Sequence, residues 1–231
     1  MQDSATQAIL FDLDGTLVDT IEDIRVAMNV ALDAEKLEPL TTEMTKQVVG
    51  RGLRNALIAA CTLRFRDVSQ TRLNELYELM MGHYRMHYAD KSRSYEGIPA
   101  LLKTLNDRNL PIGIFSNKED GLTKAIVSKM FPSIQFVWVR GMRDDYPRKP
   151  DKSGVLRFIG KVGIEMQNLL YVGDSEVDYQ TSVNAGCRHV LVTWGFRPKE
   201  ELLTIPDAHL VDSVNELEDA IYGLQRERSE K

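Results

Sequence analysis

From Gly97 onward, short apolar runs of strand length alternate with longer runs whose apolar residues recur at helical spacing. The strand-like runs are Ile112 to Phe115, Gln135 to Val139, Leu169 to Val172 and His189 to Thr193. The helical ones are Pro99 to Asn106, Leu122 to Met130, Lys152 to Lys161 and Val177 to Ala185. Apolar strands separated by helices imply parallel neighbours covered on both faces, because each crossover lays a helix across the sheet. The pattern predicts an α/β fold with a doubly wound, Rossmann-like parallel sheet. A first strand is expected at about Ala8 to Phe11. From there to about Asp90 the periodicity is helical, with no convincing strand. Ile21, Ile24, Met28 and Leu32 mark one helix, Pro39 with Thr41 and Thr42 a break, and Gly50 with Gly52 another. The expected division is a core of residues 1–18 and 92–231, with a small helical domain of residues 19–91 inserted after the first strand.

In open parallel sheets, ligands collect at the carboxyl ends of the strands. Four polar segments are expected to end strands or follow them. The first is FDLDGTLVDT, Phe11 to Thr20, in which Asp12 and Asp14 stand two positions apart and share a face of an extended chain. Two such anions repel each other unless a divalent cation neutralises them or one carboxyl keeps its proton. Taken alone, DLDG has the simpler reading of an Asp-Gly turn closing a strand. Three distant segments weigh against that. PIGIFSN stops at Ser116 and Asn117, where a hydroxyl and a backbone N–H can bind phosphate oxygens; Gly15 and Thr16 in the turn are further candidates for phosphate binding. In Arg148-Lys149-Pro150 the proline biases Lys149 away from helical geometry, so a fixed lysine can neutralise a phosphoryl group. LLYVGDSEVD delivers Asp174 and Ser175, with Asp178 one helical turn further on. One or two carboxylates completed by water and substrate phosphate are what Mg²⁺ prefers.

In their order, DLDGTLVDT, SN, KP and GDSEVD resemble the motif set of the haloacid dehalogenase-like hydrolase superfamily, particularly its phosphoglycolate phosphatase-like members. The resemblance implies that Asp12 is a nucleophile forming an aspartyl-phosphate and Asp14 the general acid/base. It implies that Ser116 hydrogen-bonds the transferring phosphoryl group and that Lys149 orients and charge-balances the nucleophile. Asp174 would bind Mg²⁺ together with the Asp12 carboxylate and the Asp14 backbone carbonyl, with Ser175 and Asp178 supporting the metal site from nearby. The helical insertion would be a cap domain. Within it Arg51, flanked by Gly50 and Gly52, is a candidate to pair with a substrate carboxylate or sugar hydroxyl, against the plainer reading of a solvated arginine in a turn. The expected activity is Mg²⁺-dependent hydrolysis of a small phosphorylated metabolite resembling 2-phosphoglycolate. A phosphosugar mutase of the β-phosphoglucomutase type and an inorganic pyrophosphatase are alternatives within the family; a non-catalytic phosphometabolite-binding protein is one outside it. Lys118 is open between touching phosphate and lying exposed.

Composition narrows the partners. A net charge of −5 over 231 residues argues against a nucleic-acid-binding surface, so an anionic substrate must be drawn by a local basic pocket. Cys61 and Cys187 are too few for a disulfide framework and suit a reducing compartment. No run approaches the ~20 apolar residues of a membrane helix. The start MQDSATQAILFDLDG lacks a basic n-region, so no secretory signal is expected. The expected protein is cytoplasmic, without membrane or nucleic-acid partners, and a monomer or homodimer. His83 and His87 have the i, i+4 spacing of a zinc pair, but with no third ligand they read as a surface or packing pair. Arg140, Arg143 and Arg148 are expected in a solvated loop, and Thr193 to Phe196 at the edge of the pocket in a packing role.

Overall fold

The computed structural model describes residues 6–64, 67–143 and 147–229, the side chains of 224–229 excepted. In chain order the strands are β1 (Ala8–Phe11), β2 (Val18–Asp19), β3 (Arg93–Ser94), β4 (Ile112–Glu119), β5 (Trp138–Met142), β6 (Leu169–Gly173), β7 (Arg188–Val192) and β8 (Leu210–Val211). The helices are α1 (Ile21–Asp33), α2 (Thr42–Val48), α3 (Leu53–Leu63), α4 (Gln70–Met86), α5 (Ile98–Asp107), α6 (Asp120–Met130), α7 (Ser153–Val162), α8 (Glu176–Ala185), α9 (Lys199–Leu202) and α10 (Val214–Ser229). Contacts between Cα atoms divide the chain into two compact units, Met1–Val18 with Ser94–Lys231, and Asp19–Arg93.

Among the described residues of the first unit, six parallel strands form one sheet in the order β5-β4-β1-β6-β7-β8. β1 and β6 are buried along their whole length, as their unbroken apolar sequences require. The chain leaves β1 on one side through β4 and β5, then returns to the other side through β6, β7 and β8. That reversal opens a crevice at the carboxyl end of β1, between its neighbours β4 and β6. Helix α7 turns Val155 and Phe158 onto Ala8, Leu10, Phe115, Leu169 and Tyr171 to fill the sheet's core. Each fully buried side chain of this size contributes roughly 1.5–3 kcal/mol of transfer free energy. No helix among the described residues is long and apolar enough to cross a membrane.

Three sequence expectations are corrected. The strand expected at Gln135 to Val139 lies at Trp138–Met142, because the Asn106 amide takes both backbone groups of Gln135 (2.7 and 3.1 Å) and withdraws them from the ladder. Arg140 therefore sits in β5, paired in register with Phe115, and not in a solvated loop. β4 does not stop at Phe115; a register shift between Phe115 and Glu119 carries the strand through Ser116, Asn117 and Lys118. The two-residue strands β2 and β3, which pair in a separate sheet, and the strand β8 carry too little periodicity to be read beforehand.

The second unit, Asp19–Arg93, is helical apart from one residue each of β2 and β3. α1 buries Ile21, Ile24, Ala27, Met28, Ala31 and Leu32, the expected stripe filled in by alanines, and packs along α4. Thr41 caps α2 by accepting from the Met44 N–H, and α3 starts just after Gly52, whose φ of +86° needs a glycine. Asp23 is 5% exposed, and its carboxylate accepts from the N–H of Lys91 and from the N–H and hydroxyl of Ser92. Removing that acceptor strands buried donors, so Asp23→Ala is expected to lower unfolding free energy by on the order of 3 kcal/mol in urea titrations. A loss below about 0.5 kcal/mol would show that water replaces the carboxylate at little cost.

Candidate active site

The site grows out of the end of β1. The Asp12 N–H donates to the Val172 carbonyl (2.8 Å), so the β1–β6 register continues one residue past the strand and delivers Asp12 beside the end of β6. There it meets Lys149. The Lys149 ammonium, 3% exposed, lies 2.7 Å from Asp12 Oδ1 and 2.8 Å from Asp178 Oδ1. The contact to Asp178 is a hydrogen bond, whereas the contact to Asp12 is ionic but misaligned, leaving Asp12 Oδ1 inside the protein with no hydrogen-bond donor. Lys149 is itself held by Asn117. The Asn117 amide accepts from the Lys149 N–H (2.9 Å) and donates to its carbonyl (3.2 Å), across a segment whose Lys149–Pro150 peptide is cis. These two bonds use the Asn117 side-chain amide to fix the Lys149 backbone.

Asp178 is the third residue of α8 and reaches back over the helix start. Its Oδ2 accepts from the Ser175 hydroxyl (2.6 Å), the Ser175 N–H (3.2 Å) and the Asp174 N–H (3.3 Å), and its Oδ1 from Lys149 and the Tyr171 hydroxyl (3.3 Å). Its oxygens are thus occupied by protein donors. Asp174 accepts at Oδ1 from the Thr16 hydroxyl (3.3 Å) and at Oδ2 from the Phe196 N–H (2.7 Å). Gly15, at φ +84°, and Gly195 both approach Asp174 so closely that an added Cβ would sit 2.3 Å from it. Thr16 and Gly15 therefore shape Asp174, and the segment Thr193 to Phe196 does more than pack. Ser116 is buried and accepts from the Lys118 N–H (3.1 Å). Lys118, left open by the sequence, is buried with its side chain 1% exposed, and its ammonium lies 2.9 Å from Asp14 Oδ1.

Asp12, Asp174 and Asp178 offer carboxylate oxygens all within 4.8 Å of one another. Three carboxylates against the single ammonium of Lys149 leave two negative charges uncompensated when all are ionised. Burial pushes the Asp12 carboxyl up from 3.8 to about 7, Lys149 opposing and Asp178 and Asp14 reinforcing the rise. Burial, with Asp178 and Asp12, likewise holds Asp174 well above the usual carboxylate range. Burial works against the Lys149 ammonium, yet Asp12 and Asp178 outweigh it and raise its pKa well above 10.5. An all-oxygen cluster short of two positive charges, with one buried carboxylate oxygen lacking a donor, fits a divalent cation of hard, oxygen-preferring type. Asp14 is not among the carboxylates of that cluster.

Arg51 belongs to the helical unit. With Gln47, Val48, Asn55, Ile58 and Thr62 it lines a largely apolar cavity of about 750 Å³. His83 and His87 stack with ring centroids 4.5 Å apart, and His87 Nδ1 lies 2.8 Å from Asp90. Tyr171, Gly195 and the Phe196 N–H escaped the sequence reading, since apolar neighbours surround Tyr171 and a backbone N–H has no sequence signature. Lys118 did carry a signal, a cation two residues after Ser116 where the apolar run Ile112 to Phe115 ends.

A buried carboxylate–lysine cluster at the crevice of a doubly wound parallel sheet is the arrangement of an enzyme site on an α/β fold. Residues 9–192 match the family profile described as haloacid dehalogenase-like hydrolase, and the chain belongs to that family. It is 30% identical to a phosphoglycolate phosphatase of Agrobacterium fabrum over 92% of this chain and 91% of that protein. It is 33% identical to a phosphoglycolate phosphatase of Cereibacter sphaeroides over 94% of this chain and 98% of that one. A crystal structure from Lactobacillus delbrueckii subsp. bulgaricus, provisionally named a phosphoglycolate phosphatase, superposes with a TM-score of 0.85 at 27% identity, covering 94% of this chain and 99% of that one.

The electrostatics predict a stability cost. With a pKa of about 7 folded against 3.8 as the ordinary value, Asp12 binds its proton more tightly in the folded chain; that advantage is complete below 3.8 and lost as pH rises through 7. At pH 8 without divalent metal, Asp12→Asn is expected to unfold at higher temperature than the unsubstituted protein, by a free energy on the order of 2–4 kcal/mol. The gap should narrow at pH 5. A less stable Asp12→Asn at pH 8 would contradict the assignment of a strained buried anion.

Proposed function

We propose that the protein is a Mg²⁺-dependent phosphatase that hydrolyses a small phosphorylated metabolite, 2-phosphoglycolate being the first substrate to test, through an aspartyl-phosphate on Asp12. The observation that carries this reading is the buried meeting of Asp12, Lys149, Asp174 and Asp178, with an Asp12 oxygen that has no hydrogen-bond donor. The naming of full-length relatives as phosphoglycolate phosphatases supports the substrate class.

In the first transfer an Asp12 carboxylate oxygen attacks phosphorus, the bond from phosphorus to the ester oxygen breaks with its electron pair going to that oxygen, and the Asp14 carboxyl supplies the proton it takes up. In the second, water attacks phosphorus, releases the Asp12 carboxylate and gives a proton back to Asp14. Lys149 keeps Asp12 oriented and offsets the charge of the incoming phosphate, while Ser116 donates to a phosphoryl oxygen. Mg²⁺, held by Asp12 and Asp174 with the Asp14 carbonyl, would neutralise the two surplus charges and lower the repulsion between carboxylate and phosphate dianion. Ser175 and Asp178 hold Asp174 and Lys149 in place. The helical unit 19–91 would serve as the cap, and Arg51 would read a substrate carboxylate. A cytoplasmic setting, with a monomer or homodimer as the working form, completes the reading.

A screen of phosphorylated metabolites, scored by free phosphate, is expected to give turnover with Mg²⁺ and almost none in excess chelator. Asp12→Asn should cost at least about 10³-fold in kcat while remaining folded. Activity that survives either change would contradict the mechanism. Isomerisation of a hexose phosphate without net phosphate release would favour the mutase, selective cleavage of pyrophosphate the pyrophosphatase, and saturable binding without turnover the binding protein.

A further inference from the structure

Two lysines are buried at this site, and the mechanism above uses only Lys149. The second, Lys118, is 1% exposed in its side chain and places its ammonium 2.9 Å from Asp14 Oδ1. A buried ammonium is costly unless an anion compensates it, so a lysine here needs a reason. Its backbone is fixed on both sides. The Lys118 N–H donates to Ser116 Oγ (3.1 Å), its carbonyl accepts from Thr123 Oγ1 (3.3 Å), and Gly141 of β5 approaches so closely that a Cβ would fall 2.5 Å from that carbonyl. Through this anchoring, β4 delivers a charge to a defined point against the residue that must exchange a proton with the leaving group. Asp12 already has its cation in Lys149.

We propose that Lys118 is a positioning residue for proton transfer: by fixing Oδ1 of Asp14 it sets the direction in which the other carboxyl oxygen faces the leaving group. A carboxyl free to turn about its last torsion spends much of its time misdirected, and general acid catalysis depends on geometry before anything else. A cation holds the Oδ1 acceptor more firmly than a neutral donor at this depth, since hydrogen bonds from an ionised donor are shorter and stronger. Lys118 touches neither the transferring phosphoryl group nor the nucleophile in this role. The inference rests on the phosphatase reading and adds to it a residue that acts through Asp14.

The leaving group provides the test. An alkyl phosphate such as 2-phosphoglycolate expels a poor leaving group and needs its proton, whereas p-nitrophenyl phosphate expels a good one and needs little help. Lys118→Met is expected to lower kcat for the alkyl ester by about 100-fold with KM little changed, and for the aryl ester by less than about 5-fold. In an Asp14→Asn background, Lys118→Met should cost almost nothing further on the alkyl ester. Lys118→Arg, which keeps the charge and is the safer variant for folding, should show a smaller loss with the same preference between esters. Equal losses on both esters, a rise in KM alone, or additive losses in the double variant would overturn the proposal in favour of direct phosphate binding or a purely structural role. Failure of the unsubstituted enzyme to release phosphate from either ester would instead overturn the phosphatase reading and this inference with it.

Discussion

The buried ammonium of Lys149, in contact with both Asp12 and Asp178, is the interaction on which the rest of the site depends. It ties together the end of β1, the loop carrying the Lys149–Pro150 peptide and the first turn of α8, three segments far apart in sequence. Removing the lysine from such a cluster typically costs 3–5 kcal/mol, because the carboxylates are left buried and uncompensated, whereas without the Asp12 charge Lys149 still pairs with Asp178. Asn117 fixes the lysine's backbone, and Tyr171, Ser175 and the Asp174 N–H saturate Asp178, so the ammonium has a defined place to stand. With Asp178 already satisfied, what remains unsatisfied faces Asp12 and Asp174.

The proposed function draws on that imbalance. An interior with three carboxylates and one cation disfavours the ionised state of Asp12 and Asp174, and burial raises both carboxyls accordingly. Under the proposed mechanism a divalent cation would reverse the preference and make the anionic Asp12 available to an incoming phosphate. Rigid packing sustains the imbalance. Gly15 and Gly195 leave just enough room for Asp174, and Thr16 and the Phe196 N–H direct its two oxygens, so the carboxylate cannot swing away to relieve repulsion. A second ion pair, Lys118 with Asp14, stands beside the first and carries its own charge compensation.

The sheet was legible because its central strands are apolar without interruption; Ala8–Phe11 and Leu169–Gly173 coincide with, or extend by one residue, the runs read from sequence. Legibility failed where side chains from other segments decide the backbone. Asn106 displaces the start of β5, and a register shift extends β4 beyond its apolar portion. At the site, Asp12 and Asp174 were readable as carboxylates at the ends of apolar runs, Asp178 as a carboxylate one helical turn past Asp174, and Lys149 as a lysine held by the proline after it. The use of Asn117 on Lys149, of Thr16 on Asp174 and of Lys118 on Asp14 was not, since each is a pairing between segments that only the folded sheet brings together.

If Asp12 is the atom donor to phosphorus, its acyl-phosphate can be caught. Enzyme quenched during turnover and reduced with borohydride should carry homoserine at position 12 and nowhere else, read by peptide mass spectrometry. An active enzyme that yields no reduced residue at position 12, or yields one at another carboxylate, would contradict the account.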